Sequence, residues 1–277
     1  MKIKRAKSRI KIGASCIIAL VCVVGICYSG YKIYEWTTDS ISTGDQTEII
    51  NDAATTREID DSANTQIISS GEADDAPYWK YLHTKLIDVD FDELRNINSE
   101  TAGWIQLGGT NINYPVMHTP DEPQYYLQRA FDKSNATGGT PFLDGKCTED
   151  GGIYIIYGHH MSNGTMFASL PDYENMEYWQ EHKTIRFDTL YEQGKYEVVA
   201  AFLSRIYAPE HKGFRYYEYT DLKSEVQFDS FIEQVKENEL YDTGVTAEYG
   251  DTLLVLSTCN YHTDDGRFVV VARKTAK

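Results

Sequence analysis

The sequence predicts a mainly β domain, either a barrel or a sandwich, and three observations support this fold class. Residues 152–157 form a continuous apolar run that is typical of a buried strand. Residues 251–259 and 267–273 are two further apolar runs, and the polar turn between them contains an Asp-Gly pair, which is a hairpin signal. Only residues 224–240 show clear helical spacing. Many short strands with few helices indicate a barrel or a sandwich.

Shorter patterns predict the remaining elements. Residues 78–97 have the spaced apolar side chains of one or two short helices, and residues 101–116 fit two strands joined by a Gly-Gly turn. Residues 184–188 and 195–207 are further strand candidates. The one clear helix places apolar side chains at i, i+3, i+4 and i+7, namely Phe228, Phe231, Ile232 and Val235.

The N-terminus differs from the rest of the chain in charge and hydropathy. Residues 1–11 contain six basic residues and no acid, and a long uncharged apolar run follows them. About 20 apolar residues span a bilayer as a helix, and a basic flank stays in the cytoplasm. We therefore expect a basic cytoplasmic tail at 1–11, a single-pass plasma-membrane anchor at 12–34 and an extracellular remainder. A cleaved signal peptide is the alternative, but its apolar core is usually about 7–15 residues long.

The segment after the anchor has the composition of a flexible stalk. Residues 37–76 contain ten acidic residues, one Arg and no aromatic residue. Such a segment buries too little apolar surface to fold alone. Aromatic residues return at residues 77–81. We therefore expect an acidic stalk at 35–76 and a folded domain at 77–277.

Charge and cysteine content argue against several classes of function. Residues 1–11 carry +6 of the formal net charge of −16, so the remainder carries −22, which argues against a nucleic-acid partner. Three of the five cysteines lie in the predicted anchor, which leaves Cys147 and Cys259 outside it. These are too few for a disulfide-stapled domain, although a single bridge between them stays open. No Cys or His spacing fits a zinc site, so we expect no metal. We also expect no other cofactor.

Cys259 and Arg267 are the first candidates for chemistry. If the hairpin is symmetric about Thr263, the two residues face each other across the strands, with Cβ atoms roughly 4.5–5.5 Å apart. A guanidinium that stays charged beside a thiol favours the thiolate, which is the form a cysteine nucleophile needs. The alternatives are that Cys259 is a small packing residue and that Arg267 is a solvated hairpin residue.

A histidine at a strand end is the candidate proton-transfer partner for this cysteine. His159 and His160 follow a glycine at the end of the apolar strand, and functional residues are common at such positions. Successive side chains of a strand point to opposite faces, so the two histidines are not expected to hold one metal ion together. His262 lies in the hairpin turn, three residues after Cys259, where a solvent-facing side chain is the competing interpretation.

Taken in order along the chain, these residues resemble the sortases, and the class B sortases in particular. Leu256-Ser-Thr-Cys259 matches the Leu-x-Thr-Cys motif of the family, and Arg267 follows the cysteine by eight residues. Tyr157-Gly158-His159 matches the strand-end Gly-His of the family. The segments 101–116 and 164–167 also look similar, and a helix before the cysteine strand is a class B feature.

The resemblance covers residues 78–273 and implies a fold. Family members have a sortase-type closed β-barrel with N-terminal helices and, in class B, one helix inserted before the strand of the catalytic cysteine. The helix at 224–240 fits that position. The catalytic histidine of the family directly follows the glycine, which implies His159 for this role and implies that His160 points away.

The resemblance also implies an activity, that of a membrane-anchored cysteine transpeptidase. Cys259 would attack a Thr carbonyl in the C-terminal sorting signal of a secreted protein, and His159 would transfer protons. Arg267 would stabilise the oxyanion, while Ser257 and Thr258 would contact the substrate. The implied partners are sorting-signal-bearing proteins, a peptidoglycan cross-bridge or pilin amine, and the lipid bilayer.

Two other functions fit the same residues. A cell-surface cysteine peptidase would resolve the thioester with water instead of an amine, and an assay with an acceptor amine separates it from a transpeptidase. A non-catalytic surface-interaction module, such as an adhesin, would keep its function when Cys259 is replaced by Ala.

Overall fold

The computed structural model describes residues 20–34, 37 and 89–275. The predicted basic tail, the first part of the predicted anchor, almost all of the predicted stalk and the start of the predicted domain lie outside these residues. Residues 20–34 are helical. Across the described ranges, no helix combines the length and the apolar character needed to cross a membrane.

Residues 89–275 form a closed β-barrel, which confirms the mainly β class and identifies the barrel as the architecture. The α-helices and strands follow in the order α1 (Phe91–Ile97), β1 (Thr101–Gln106), β2 (Asn113–Met117), β3 (Phe142–Leu143), β4 (Ile153–Tyr157), α2 (Met176–Glu181), β5 (Thr184–Thr189), β6 (Lys195–Arg205), α3 (Glu225–Asn238), β7 (Leu253–Cys259) and β8 (Gly266–Lys274). Around the barrel the strand order is β1-β2-β3-β4-β7-β8-β6-β5, and β5 pairs with β1 to close it.

Strands β4 and β7 lie side by side, in parallel, and both of their faces are buried. Alternate side chains point into the barrel, namely Tyr154, Ile156, Leu254 and Leu256. The side chains between them pack outside the barrel against α3, namely Ile153, Ile155, Leu253 and Val255. A strand covered on both faces needs a continuous apolar run, which explains the apolar runs at 152–157 and 251–259.

Helix α3 is inserted between β6 and β7, as the resemblance implied, and it covers the outer face of the barrel. Phe228, Phe231 and Val235 are buried against that face, as their helical spacing predicted. Helix α1 is the N-terminal helix of the barrel domain within the described residues, and the Asp90 side chain caps it by accepting a bond from the Glu93 N–H (3.0 Å). The short helix α2 was not predicted.

Candidate active site

The β7–β8 hairpin places Cys259 directly opposite Arg267. The two strands are antiparallel, and the registered pair nearest the turn joins these two residues. The turn closes through a hydrogen bond from the Asn260 N–H to the Gly266 carbonyl (3.0 Å). Gly266 has to be glycine, because a Cβ there would collide with the carbonyl oxygen of Asn260. The register predicted from the symmetry of the hairpin is therefore confirmed.

Cys259 and Arg267 share the outer face of the barrel. Val255 and Val269, which belong to the same two strands, pack in the cluster against α3. Side chains separated by an even number of strand residues point to the same face, so Cys259 and Arg267 lie on this face at the barrel edge. Cys259 is a free, half-buried cysteine, so part of its side chain packs against the protein and part is accessible to solvent.

The Arg267 guanidinium is held at the hairpin turn by its own backbone. Its Nη1 donates to the carbonyl oxygens of Asp265 (3.2 Å) and Gly266 (2.9 Å). A guanidinium has five N–H donors in a fixed plane. Because Nη1 makes both bonds, Nε and Nη2 are the donors that a substrate oxygen near Cys259 could use.

His159 lies at the same edge of the barrel as Cys259. Strands β4 and β7 are parallel, with Tyr157 registered against Ser257. His159 and Cys259, each two residues further on, therefore lie at the same end of their strands. Beyond the last pair, the Gly158 N–H still donates to the Ser257 carbonyl (3.1 Å). A Cβ on Gly158 would meet the ring of Phe167 at 2.7 Å, so this close packing requires glycine before the histidine.

A backbone carbonyl fixes the protonation pattern of the His159 ring. The Nε2 atom lies 2.8 Å from the carbonyl oxygen of Leu127. A carbonyl only accepts hydrogen bonds, so Nε2 carries the proton and is the donor of this hydrogen bond. In the neutral ring, Nδ1 is then the basic nitrogen that can exchange a proton with a reacting group.

His160 contacts the residue that carries the candidate nucleophile. Its Nδ1 donates to the carbonyl oxygen of Cys259 (3.2 Å), and its ring lies 5.9 Å from the exposed ring of Tyr261. The side chain that was expected to point away therefore supports the backbone at the end of β7. His262 lies in the turn, where its Nδ1 is 2.9 Å from Asn260 Oδ1, and its side chain is exposed.

Ser257 and Thr258 lie inside the protein, where their hydroxyls bond to other protein groups. Ser257 is 1 % exposed and its Oγ is 2.7 Å from the hydroxyl of Tyr216. Thr258 is 2 % exposed and its Oγ1 donates to the Gly158 carbonyl (2.8 Å). A direct contact between either hydroxyl and a substrate would require these bonds to break. In this geometry the two side chains support the strand ends that carry His159 and Cys259.

Tyr216 also belongs to the site, although no pattern in the sequence indicates it. It is fully buried in a 3₁₀ turn between β6 and α3. Burial raises its pKa to about 12, and the hydrogen bond with Ser257 and the charge of Arg267 oppose that rise, whereas Cys259 adds to it. The phenol is therefore neutral and lies within electrostatic range of both Cys259 and Arg267.

The described residues contain no cluster of three or more His, Cys, Asp or Glu side chains suited to a metal ion. Cys147 is buried and free, and Cys259 is also free, so this structure contains no bridge between them. Burial raises the pKa of the Cys147 thiol to about 12. Because the thiolate is the reactive form of a cysteine, Cys147 is an inert packing residue and Cys259 is the candidate nucleophile.

The arrangement suits acyl transfer. A thiolate nucleophile needs a proton-transfer partner within reach and donors aimed at the oxyanion that forms on the attacked carbonyl. Cys259, His159 and Arg267 provide these three kinds of group at one edge of the barrel.

Comparison with known proteins supports this interpretation. Residues 105–275 match the family described as Sortase domain. Sortase B of Staphylococcus aureus is 30% identical over 195 residues, which cover 69% of this chain and 77% of that protein. The structure of a Staphylococcus aureus sortase B–substrate complex covers 67% of this chain and 84% of its own, with 29% identity and a TM-score of 0.59. A structure of sortase B complexed with triglycine covers 67% and 85%, with 30% identity and a TM-score of 0.60.

The family match covers more than half of the chain, and the sequence relatives and the solved structures agree with it. The closed barrel with a helix before the cysteine strand agrees with the same assignment. The chain therefore belongs to the class B sortases, a family of cysteine transpeptidases.

Proposed function

We propose that this sortase cleaves a C-terminal sorting signal after Thr and joins the carboxyl of that Thr to an amine of the cell wall or of a pilin. The observation that carries the proposal is the pairing of Cys259 with Arg267 at the edge of the barrel where β4 ends and His159 lies. A nucleophile, an oxyanion donor and a proton carrier at one edge are what the reaction needs.

The reaction has two steps. In the first, Cys259 Sγ bonds to the Thr carbonyl carbon, the peptide C–N bond breaks, and protonated His159 gives its Nδ1 proton to the departing amine. In the second, the acceptor amine attacks the thioester and gives a proton to His159, while the C–S bond breaks and the thiolate returns. Arg267 donates hydrogen bonds to the substrate carbonyl oxygen in the tetrahedral intermediate of each step, where the negative charge on that oxygen is greatest.

Two of the related structures support these substrate classes. One is a substrate complex of sortase B and another is sortase B complexed with triglycine. Triglycine carries a primary amine, so it is a suitable acceptor probe for this chain. The strongly acidic composition of the chain also favours approach of a protonated amine over an anionic partner.

The proposed location of the enzyme is the outer face of the plasma membrane. The basic residues at 1–11 and the apolar run that follows support an anchor at 12–34 with a cytoplasmic N-terminus. The acidic segment at 35–76 would act as a stalk. An anchor raises the effective concentration of the enzyme where secreted substrates emerge.

Cleavage of fluorogenic sorting-signal peptides by the full-length protein, with and without triglycine, tests the chemistry. We expect Cys259→Ala and His159→Ala to lose cleavage and His160→Ala to retain it at a rate reduced roughly two- to tenfold, and we expect a product linked to triglycine. Cleavage that survives in Cys259→Ala would refute the mechanism. A product that is a free acid even at saturating triglycine would indicate a peptidase instead of a transpeptidase.

Extraction of membranes from cells that express the full chain tests the location. We expect the protein to resist a carbonate wash, and we expect a variant with Val21, Val23 and Val24 all replaced by Asp to be released. External protease should remove the barrel domain from intact cells. Release of the unchanged protein by carbonate would count against the anchor and leave the chemistry untouched.

A further inference from the structure

We infer that Asn98, Glu100 and Tyr126 form a positioning network for His159, which acts by fixing the carbonyl of Leu127. The inference rests on the proposed function and deepens it, because it assigns three residues outside the reacting groups to the control of the proton carrier. Asn98 and Glu100 lie between α1 and β1, and Tyr126 lies in the 3₁₀ turn Tyr125–Gln128, so all three come from parts of the chain distant from His159.

The bond between His159 Nε2 and the Leu127 carbonyl (2.8 Å) links the histidine to this network. It sets the ring orientation and selects the tautomer with the proton on Nε2. If the carbonyl moved away, the ring could rotate and either nitrogen could carry the proton. The position and the tautomer of His159 therefore depend on the backbone at Leu127.

A set of hydrogen bonds that is buried at Asn98 and Tyr126 and reaches the surface at Glu100 holds that backbone. The Tyr126 hydroxyl donates to Glu100 Oε2 (2.5 Å) and accepts from Asn98 Nδ2 (2.7 Å). Asn98 Nδ2 also donates to the Phe131 carbonyl (2.6 Å). Tyr126 is fully buried and Asn98 is 2 % exposed. Buried polar networks in which each group has a partner are rigid, so the residue beside Leu127 has little freedom.

The chain at Gly139 confines the same turn from its other side. Gly139 has a φ of +58°, and a Cβ at this position would collide with the carbonyl oxygens of both Tyr126 and Leu127. The next residue, Thr140, donates its N–H to the Tyr126 carbonyl (3.0 Å). The Leu127 carbonyl is therefore confined between the network and the chain at Gly139, and this fixes the direction from which it accepts the hydrogen bond of His159 Nε2.

Electrostatics agree with this geometry. The hydrogen bond from Tyr126 lowers the pKa of Glu100 below its usual value, and the Lys133 ammonium (3.1 Å from Oε1) adds to that effect. Burial and the same bond raise the pKa of Tyr126. At neutral pH the network therefore consists of a carboxylate that accepts and a neutral phenol that donates.

The test uses full-length protein labelled with ¹⁵N-histidine, with the His159 signals assigned by comparison with His159→Ala. At about pH 8.5, where an ordinary imidazole is neutral, we expect the proton of wild-type His159 to lie on Nε2 alone. Tyr126→Phe keeps the ring but removes the hydroxyl, and we expect it to show both tautomers. We expect the same variant to lose roughly 10- to 100-fold in kcat for peptide cleavage, because small misplacements are costly, with KM changed less than about twofold.

The matched control is Tyr173→Phe. Tyr173 is also fully buried, and its hydroxyl donates to the His182 carbonyl (2.6 Å). We expect this variant to keep the single His159 tautomer and the wild-type kcat, even if it loses comparable stability. If Tyr126→Phe does not fold, Gly139→Ala displaces the Leu127 carbonyl from the other side, and we expect the same two effects.

A wild-type tautomer pattern together with a wild-type kcat in both Tyr126→Phe and Gly139→Ala would overturn the inference. The spectra do not depend on any substrate, so they separate this result from a failure of the proposed function. A tautomer change in an enzyme that cleaves no peptide would support the network and count against the proposed reaction.

Discussion

The hydroxyl of Tyr216 lies 2.7 Å from that of Ser257, inside the protein. Ser257 precedes Cys259 by two residues, on the same face of β7. The bond joins the segment between β6 and α3 to the strand that carries the nucleophile. When a buried hydroxyl loses its hydrogen-bond partner, the free energy of unfolding falls by about 1–3 kcal/mol. When both hydroxyls are removed, it falls by less than the sum of the two single changes. The pair therefore stabilises the site as a unit.

We predict that Tyr216→Phe and Ser257→Ala each destabilise the protein by about 1–3 kcal/mol and lower kcat, and that the double variant costs less than their sum. Urea unfolding and peptide cleavage by the four proteins form the cycle. Strictly additive losses would mean that the two hydroxyls do not act together.

We predict that Arg267→Lys lowers kcat roughly 10²- to 10³-fold, as expected for the loss of an oxyanion donor. Lysine keeps the charge, but it lacks the planar set of donors that bonds the turn carbonyls and leaves Nε and Nη2 for a substrate. Arg273→Lys is the control, because Arg273 lies on the same face of β8 and pairs with Glu197 at 3.2 Å. Equal activity of the two variants would exclude an oxyanion role for Arg267.

We predict different effects at the two adjacent histidines. His160→Ala removes the bond to the Cys259 carbonyl, and a net loss of one hydrogen bond corresponds to roughly a two- to tenfold lower kcat. His160→Asn keeps a side-chain donor and should recover most of that loss. The rate of Cys259 alkylation by iodoacetamide, followed by peptide mapping, gives a second measurement. A complete loss of cleavage in His160→Asn would reassign the proton carrier to His160.

The parts of the site that the sequence predicted are those that depend on local patterns. The register of Cys259 against Arg267 follows from two β-branched runs and a short turn between them, which together leave one symmetric pairing. The strand-end position of His159 follows from the apolar run that precedes it.

The parts that the sequence did not predict depend on contacts between distant segments. Tyr216 is 41 residues from Ser257 and Asn98 is 28 residues from Tyr126 along the chain. The helical and strand periodicities of the sequence cannot predict contacts between such residues, because these contacts depend on barrel closure and on the path of long loops. Helix α2 was missed because six residues are too few to establish a helical period, and its N-cap at Asn175 with the buried Trp179 is visible only in the fold.

We predict that stability falls on acidification partly through Glu100. Its pKa is lowered in the folded state, mainly by the Tyr126 hydrogen bond. The carboxylate is therefore the form that the fold favours, so this contribution is complete above the usual value of 4.5 and is lost as the pH falls through the lowered pKa. The difference in unfolding free energy between wild type and Glu100→Gln, measured from pH 7 to pH 3, should shrink as the pH falls. A difference that does not vary with pH would contradict the prediction.

We predict that Phe231→Ala weakens both the fold and the active site, because the α3 side chain supports the segment that carries Tyr216. Phe231 is fully buried, and its ring lies 5.7 Å from that of Phe214 and 5.2 Å from that of Tyr219. Removal of a buried phenylalanine side chain costs about 3–5 kcal/mol. Phe187→Ala, in the barrel interior away from α3, is the control with a similar loss of volume. At a temperature where both variants are folded, we expect the lower kcat in Phe231→Ala, and equal activity would show that α3 contributes to stability alone.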